Sequence, residues 1–152
     1  MRVITWMTKM RYRDSALRKK GQRLSDDERL IRGLGPTEDQ MQIQIIKECS
    51  FLKYNDVPLL LIIRHIPNGG LRSKTEAARL KGMGVLKGTP DIHIPVPRHS
   101  FASLYIELKT EEGELSKDQK EQIKILRKLG NKVVVCRNVA DSMTEIKSYL
   151  GI

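Results

Sequence analysis

Apolar residues recur along the chain at two different spacings, and these spacings predict its helices and strands. Beyond Pro36, an apolar stripe at helical spacing consists of Met41, Ile45, Cys49 and Leu52. Thr37, followed three residues later by Gln40, has the pattern of a capping box and marks the start of this helix. The stripe and the cap together predict an amphipathic helix over residues 38–53 that packs against a core.

The rest of the chain contains further capped helices and β-rich runs. Capping patterns and glycine stops predict helices over residues 26–33, 73–82, 117–129 and 140–150. Runs of β-branched and aromatic residues predict strands over residues 57–66, 91–96, 103–109 and 132–137. We expect the second and third strands to form a hairpin, because only a short loop separates them. The order of elements beyond Pro36 predicts an α/β domain whose sheet is covered by helices.

The length and composition are those of one folded domain outside the membrane. The chain has 152 residues, of which 39% are hydrophobic and 30% charged, which is sufficient for a single core. Its longest apolar run, residues 57–63, is too short to span a bilayer, and its start lacks a secretory signal pattern. Cys49 and Cys136 are expected to be buried, reduced thiols, and no zinc-ligand spacing is present. We therefore expect a cytoplasmic protein with no membrane partner.

Positive charge is concentrated at the start of the chain. The chain carries 28 Lys and Arg against 18 Asp and Glu, a net charge of +10, and residues 1–36 alone contribute 10 against 4. So basic a chain indicates a polyanionic partner, with nucleic acid first and an anionic membrane surface second. Arg18, Lys19 and Lys20 are candidates for contacts with a phosphate backbone. The alternative is that this segment is a solvated leader.

Two carboxylates and a lysine lie in the predicted hairpin. Asp91 begins one strand, and strand alternation places Glu107 and Lys109 on the same face of the other. Asp91 and Glu107 can therefore converge at one edge of the sheet. Two carboxylates and the backbone carbonyl of Leu108 are hard oxygen ligands of the kind that hold Mg²⁺. A lysine on the same face can act on the attacking water or on the charge of a reacting phosphate.

A Glu-x-Lys pair is by itself ordinary, because a solvent-facing ion pair on a half-exposed strand needs no metal. The surrounding sequence favours the other interpretation, since Pro90-Asp91 followed by Glu107-x-Lys109 resembles the PD-(D/E)xK nuclease signature. More narrowly, the chain resembles the VRR-NUC (virus-type replication-repair nuclease) family. The stretches that carry this resemblance are Asn68-Gly69-Gly70, residues 84–91, Ile106-Glu107-Leu108-Lys109 and Leu115-Ser116-Lys117-Asp118-Gln119.

The resemblance covers residues 37–137 and implies a fold. The family's fold is a restriction-endonuclease-like core, in which a small mixed β-sheet is flanked by helices. We therefore expect an α/β nuclease domain over residues 37–152, preceded by a basic N-terminal arm over residues 1–36.

The resemblance also implies a role for particular acidic residues. Asp91 and Glu107 would ligate a divalent metal, Mg²⁺ or Mn²⁺, and Lys109 would assist the nucleophilic water. A Glu from the first helix of the domain would complete the metal site. Glu38 is the best match, although an acid in the first turn is also explained by the helix dipole. Glu48 is the fallback, but it lies at the other end of the helix.

Further residues are expected at the edge of the site. Gln119 matches the family's Gln after Ser, and the resemblance gives it a catalytic role, although a capping box begun by Ser116 also explains it. Cations that flank the expected active-site edge are candidates for phosphate contacts, each with the alternative of ordinary exposure. They are Arg64, Arg72, Lys74, Lys81 and Lys87.

These observations lead us to expect a divalent-metal-dependent nuclease that hydrolyses phosphodiester bonds in branched or duplex DNA. By resemblance, small stand-alone members of the family often come from phages or bacteria, and dimeric ones can cut branched DNA such as Holliday junctions. A chain this short has little room for base-reading elements, which favours recognition of DNA shape. We expect a homodimer, because cutting two strands in one encounter requires two sites and one chain supplies one.

The sequence is also consistent with two other functions. One is a non-catalytic basic DNA-binding module with a nuclease-like fold, which metal titration on a branched substrate would distinguish from an enzyme. The other is a sequence-specific restriction endonuclease, which would cut one linear duplex site and ignore junctions.

Overall fold

The computed structural model describes residues 25–67 and 73–152. The chain divides into two units, Met1–Gly35 and Pro36–Ile152. The predicted phosphate contacts Arg18, Lys19 and Lys20 lie outside the described residues, and so do Arg72 and the predicted turn at residues 68–70.

A short helix, α1 (Asp26–Ile31), is the described element of the first unit. The backbone amide of Ser25 donates to the Glu28 carboxylate at 2.9 Å, and the Glu28 amide donates to the Ser25 hydroxyl at 3.3 Å. These are the two bonds of a capping box, so the predicted start of this helix is confirmed.

The second unit contains helices and strands close to those predicted. Its helices are α2 (Glu38–Cys49), α3 (Lys74–Gly82), α4 (Lys117–Lys128) and α5 (Val139–Leu150). Its strands are β1 (Lys53–Tyr54), β2 (Val57–Pro58), β3 (Arg64–His65), β4 (Ile92–Ile94), β5 (Leu104–Leu108) and β6 (Lys132–Cys136).

The main sheet has the strand order β3-β4-β5-β6. β3, β4 and β5 pair antiparallel, whereas β5 and β6 pair parallel. Strands β4 and β5 form the predicted hairpin, and in its register Ile92 lies opposite Ile106. A mixed sheet with helices on it confirms the predicted α/β architecture.

The hydrophobic core lies between one face of this sheet and helices α2 and α5. Ile92 and Ile106 are fully buried there, together with Ile45 of α2 and Ile146 of α5. Cys49 is buried in the same cluster, and both cysteines are free, as predicted. The opposite face of the sheet is partly covered by α4, which packs on β6.

The predicted strand over residues 57–66 is wrong. This run contains the two short strands β2 and β3 with a 3₁₀ turn at Leu59–Leu61 between them. The amide of Ile63 donates to the carbonyl of Leu59 at 2.9 Å, so these two buried residues are four apart. Leu61 is 75% exposed. Strand alternation would have placed all three side chains on one face, and hydrophobicity alone does not separate a strand from a turn of helix in such a short run.

No helix of the described residues is long and apolar enough to cross a membrane.

Gly88 lets the loop before β4 pack directly on the first turn of α4. Its φ is +81°, and a Cβ on it would lie 2.5 Å from the carbonyl carbon of Asp118 and 2.7 Å from the amide nitrogen of Gln119. Lys87 also forms an ion pair with Asp118 at 2.5 Å. The position of α4 therefore depends on a residue without a side chain at 88.

We expect Gly88→Ala to lower the free energy of unfolding by about 1–3 kcal/mol, because alanine meets both a backbone clash and a left-handed φ. Gly82→Ala is the matched control, since a Cβ at Gly82 would have no atom within 4 Å and alanine is favoured in helices. Urea unfolding of both variants measures the difference. A Gly88→Ala variant as stable as the wild type would contradict the close contact between the loop and α4.

Candidate functional site

Asp91 and Glu107 lie side by side at one end of the sheet. Since Ile92 pairs with Ile106, the register places Asp91 opposite Glu107 on the neighbouring strand. The backbone amide of Leu108 donates to Asp91 Oδ2 at 2.8 Å. The carbonyl of Asp91 lies 3.1 Å from Nδ1 of His65, on the edge strand β3. The main-chain ladder and this side-chain bond therefore fix the Asp91 carboxylate against β5.

Glu107 is a fully buried carboxylate with one oxygen bonded and one not. Its Oε1 accepts from Lys109 Nζ at 2.9 Å and from Gln119 Nε2. Its Oε2 is buried and has no hydrogen-bond partner among the described residues. An unsatisfied buried carboxylate oxygen is costly, so this atom needs a proton or a cation from outside the protein.

The ammonium of Lys109 is surrounded by oxygen atoms that were predicted to bind a metal. Its Nζ lies 2.9 Å from Glu107 Oε1, 2.9 Å from the Leu108 carbonyl oxygen and 3.2 Å from Glu38 Oε1. The Lys109 side chain is only 7% exposed, whereas that of Glu38 is 41% exposed. Glu38 thus reaches the site from the solvent side, at the first residue of α2.

Gln119 makes the capping contact that the sequence predicted, and its amide group also contacts Glu107. Its Oε1 accepts from the Ser116 amide at 2.8 Å, which completes the capping box of α4. Its Nε2 donates to Glu107 Oε1. The cap fixes the side chain with its amide directed at the buried carboxylate, so the helix start and the site share one residue.

Burial dominates the electrostatics of this cluster. It raises the pKa of Glu107 to about 7, helped by the negative charge of Asp91. Burial also raises the pKa of Asp91, against the opposing Leu108 hydrogen bond and the Lys109 charge. For Lys109 burial lowers the pKa, but its contacts with Glu107 and Glu38 outweigh this effect and leave the pKa raised. The lysine is therefore charged, and it partly neutralises the acids around it.

The donor atoms fit a divalent cation in kind. Hard oxygen ligands for such an ion are present in the carboxylates of Asp91, Glu107 and Glu38 and in the Leu108 carbonyl. A positive charge would also stabilise Glu107 Oε2, which has no hydrogen-bond partner among the described residues. In the described part of the chain, no group of three or more His, Cys, Asp or Glu side chains is arranged to hold a metal ion. At present the Lys109 ammonium is the cation that contacts Glu38, Glu107 and the carbonyl.

The other predicted contact residues either make no hydrogen bond or ion pair with this cluster or lie outside the described residues. Lys81 is exposed on α3, and Lys87 is exposed and paired with Asp118. The backbone of Lys74 begins α3, but its side chain is outside the described part. The fallback acid Glu48 does not join the site, since its carboxylate accepts from Gln44 on the same helix at 3.1 Å.

Sequence reasoning missed the contribution of Gly88, whose close packing on α4 holds Gln119 within reach of Glu107. The available signal was the glycine itself, three residues before Asp91, because a glycine next to a motif often marks close backbone approach.

An acid at the start of one strand, an acid-x-lysine sequence on its partner and a mixed sheet flanked by helices define the PD-(D/E)xK class of nuclease core. The VRR-NUC domain family matches residues 37–140, and the chain belongs to this nuclease family. A solved structure described as a VRR_NUC domain protein has 31% sequence identity and a TM-score of 0.68, and the match covers 77% of this chain and 90% of that one. No curated protein matches the sequence.

The raised pKa of Glu107 predicts a dependence of stability on pH in the metal-free protein. Because the folded state binds this proton more tightly than the unfolded state, the contribution of Glu107 to stability is most favourable below pH 4.5 and declines as the pH rises to about 7. Glu107→Gln removes the titrating group, so the variant gains roughly 2–3 kcal/mol relative to the wild type across this range. Urea unfolding in EDTA at several pH values measures the gain.

Glu48→Gln is the control, because it removes a carboxylate outside the site. Stability curves for Glu107→Gln and the wild type that run parallel across the whole pH range would contradict the raised pKa.

Proposed function

We propose that this protein is a metal-dependent DNA endonuclease that hydrolyses phosphodiester bonds, selectively in branched DNA such as Holliday junctions. The observation that carries the proposal is the convergence of Glu38, Glu107 and the Leu108 carbonyl on the buried Lys109 ammonium, beside Asp91. Membership of a nuclease family supports phosphodiester hydrolysis as the reaction.

The proposed cofactor is Mg²⁺ or Mn²⁺. Asp91, Glu107 and the Leu108 carbonyl would hold it, and Glu38 would complete the set from α2. A divalent ion at such a site polarises the phosphate and lowers the pKa of bound water. Lys109 contacts Glu107, Glu38 and the Leu108 carbonyl in its present position, so its ammonium would have to move for these atoms to hold the ion.

The side chains of this site then have separate tasks. Lys109 orients the attacking water or offsets the negative charge that grows on the phosphate. Gln119 keeps the Glu107 carboxylate in one orientation through its Nε2 hydrogen bond, and the Leu108 amide does the same for Asp91. Each acid is thus held in place before substrate arrives, which reduces reorganisation during the reaction.

Recognition of branched DNA is supported by the size of the domain. The matched nuclease domain is small, residues 37–140, and its catalytic core leaves few of those residues for base-reading elements, so shape is the expected signal. The described part of the chain contains one such cluster, and a homodimer would present two sites to two strands. A cytoplasmic location follows the same proposal, since DNA is the substrate.

A substrate panel tests the proposal. We expect the wild type to cut a four-way junction in Mg²⁺ or Mn²⁺ faster than a flap or linear duplex of matched sequence. Asp91→Ala should abolish cleavage but retain DNA binding, because this carboxylate serves the metal and not the DNA backbone. Glu48→Ala, an acid outside the site, is the matched control and should cut at the wild-type rate. Gel-resolved cleavage with single-turnover kinetics measures all of these.

Three outcomes would contradict parts of the proposal. Near wild-type cleavage by Asp91→Ala would show that the site is elsewhere. Binding without cleavage by the wild type in either metal would indicate a non-catalytic DNA-binding module. Cleavage of one linear duplex sequence with no action on junctions would indicate a restriction endonuclease.

We expect Lys109→Ala to lower the single-turnover cleavage rate about a hundredfold or more, because the lysine acts on water or phosphate. Metal affinity should change far less, since the lysine contributes no ligand oxygen and its removal takes away a competing cation. Calorimetric titration of Mn²⁺ without DNA measures this affinity. A collapse of metal binding with surviving cleavage chemistry would reverse the assignment.

A further inference from the structure

A row of polar side chains crosses the main sheet next to the acidic pair. Arg64 on β3 lies opposite His93 on β4, and His93 lies opposite Tyr105 on β5. Residues paired in this way point to the same side of a sheet. Arg64, His93 and Tyr105 therefore form one continuous row across three strands, which we call the cross-strand row.

The cross-strand row lies on the same face as the candidate site. His93 is two residues beyond Asp91, and Tyr105 is two residues before Glu107, so the period of the strand places all four on one face. Two residues of strand correspond to about 6–7 Å. Neighbouring phosphates along one DNA strand are separated by a similar distance, so the row lies within reach of the phosphate next to one held at the acids.

The two ends of the row carry polar groups that the protein leaves unused. Arg64 is exposed, and Tyr105 is half-buried. Within the described residues, neither the Arg64 guanidinium nor the Tyr105 hydroxyl has a hydrogen-bond or ion-pair partner. Neither group is among the buried polar atoms that lack a partner, so both are accessible from solvent and are available to contact a ligand.

His93 connects the two ends. Its ring stacks on Tyr105 with 4.2 Å between centroids and an angle of 9° between planes. Stacking limits the orientations of both rings, so the Tyr105 hydroxyl is presented in a fixed direction. His93 is thus a positioning residue.

We propose that the cross-strand row binds the DNA backbone beside the scissile phosphodiester, with Arg64 and Tyr105 contacting phosphate oxygens. This inference rests on the proposed function, and it adds residues that place the substrate.

Phosphate is the ligand that suits both ends of the row. Arginine presents several donors in a planar fork that matches phosphate oxygens, and tyrosine hydroxyls are frequent phosphate contacts. The nearby carboxylates would repel an unanchored phosphodiester in the absence of metal, so a cation that contacts the neighbouring backbone offsets that repulsion. The row carries one positive charge and one neutral donor, which makes their contributions separable by salt.

Two variants and a control test the proposal. Arg64→Gln removes a charged contact, so DNA affinity at low salt should fall about tenfold, and the slope of log affinity against log salt should shrink by ~0.9. Tyr105→Phe keeps the stacked ring but loses the hydroxyl, so affinity should fall a few-fold with an unchanged slope. Lys47→Gln, which removes one exposed charge at the far end of α2, should change neither quantity appreciably.

Binding to a junction and to a matched duplex is followed by fluorescence anisotropy in EDTA across a salt series. The half-saturating DNA concentration for cleavage in Mg²⁺ is measured in parallel. Melting temperatures equal to that of the wild type exclude a loss of folding as the cause.

The outcomes separate this inference from the proposed function. A reduced slope for Arg64→Gln with weaker, equally salt-dependent binding for Tyr105→Phe supports the cross-strand row. The inference is wrong if Arg64→Gln behaves like Lys47→Gln, or if Tyr105→Phe behaves like the wild type, while the wild type still binds and cuts. A wild type that neither binds nor cuts DNA would instead overturn the proposed function.

Discussion

The contact between Lys109 and Glu107 is the constraint on which the rest of the site depends. Both side chains are almost completely buried, and removing two charges from water is costly unless further polar partners compensate. Two of the compensating groups come from other elements, Glu38 from α2 and Gln119 from α4. The third is the neighbouring carbonyl of Leu108 on β5. The fold must therefore bring three elements to one end of the sheet, and one buried oxygen, Glu107 Oε2, still has no hydrogen-bond partner among the described residues.

Helix α4 is located by backbone contact rather than by side-chain packing alone. Gly88 approaches the backbone of its first turn so closely that no side chain fits between them. This contact fixes the helix start, where Gln119 caps the helix with its oxygen and holds Glu107 with its nitrogen. A helix cap and a hydrogen bond to the buried carboxylate are thus combined in one side chain.

Much of the fold was predictable because its signals are local. Capping boxes at Ser25, Thr37 and Ser116 marked helix starts that the structure contains. The strand predicted over residues 57–66 failed, because a leucine-rich run fits a buried strand and a turn of helix equally well. Packing decided between them: Leu59 and Ile63 are buried one helical turn apart, and Leu61 between them faces solvent.

The sequence by itself determined that Asp91, Glu107, Leu108 and Lys109 lie close together, because they belong to adjacent strands of one hairpin whose register follows from local pairing. Only the tertiary structure decided which acid joins them from α2. Glu38 reaches Lys109 across 71 residues of sequence, while Glu48 on the same helix bonds only locally. That choice depends on how α2 packs over the sheet, a long-range relation that no local pattern encodes. The row formed by Arg64, His93 and Tyr105 is likewise a product of strand register across three strands, which brings together residues far apart in the chain.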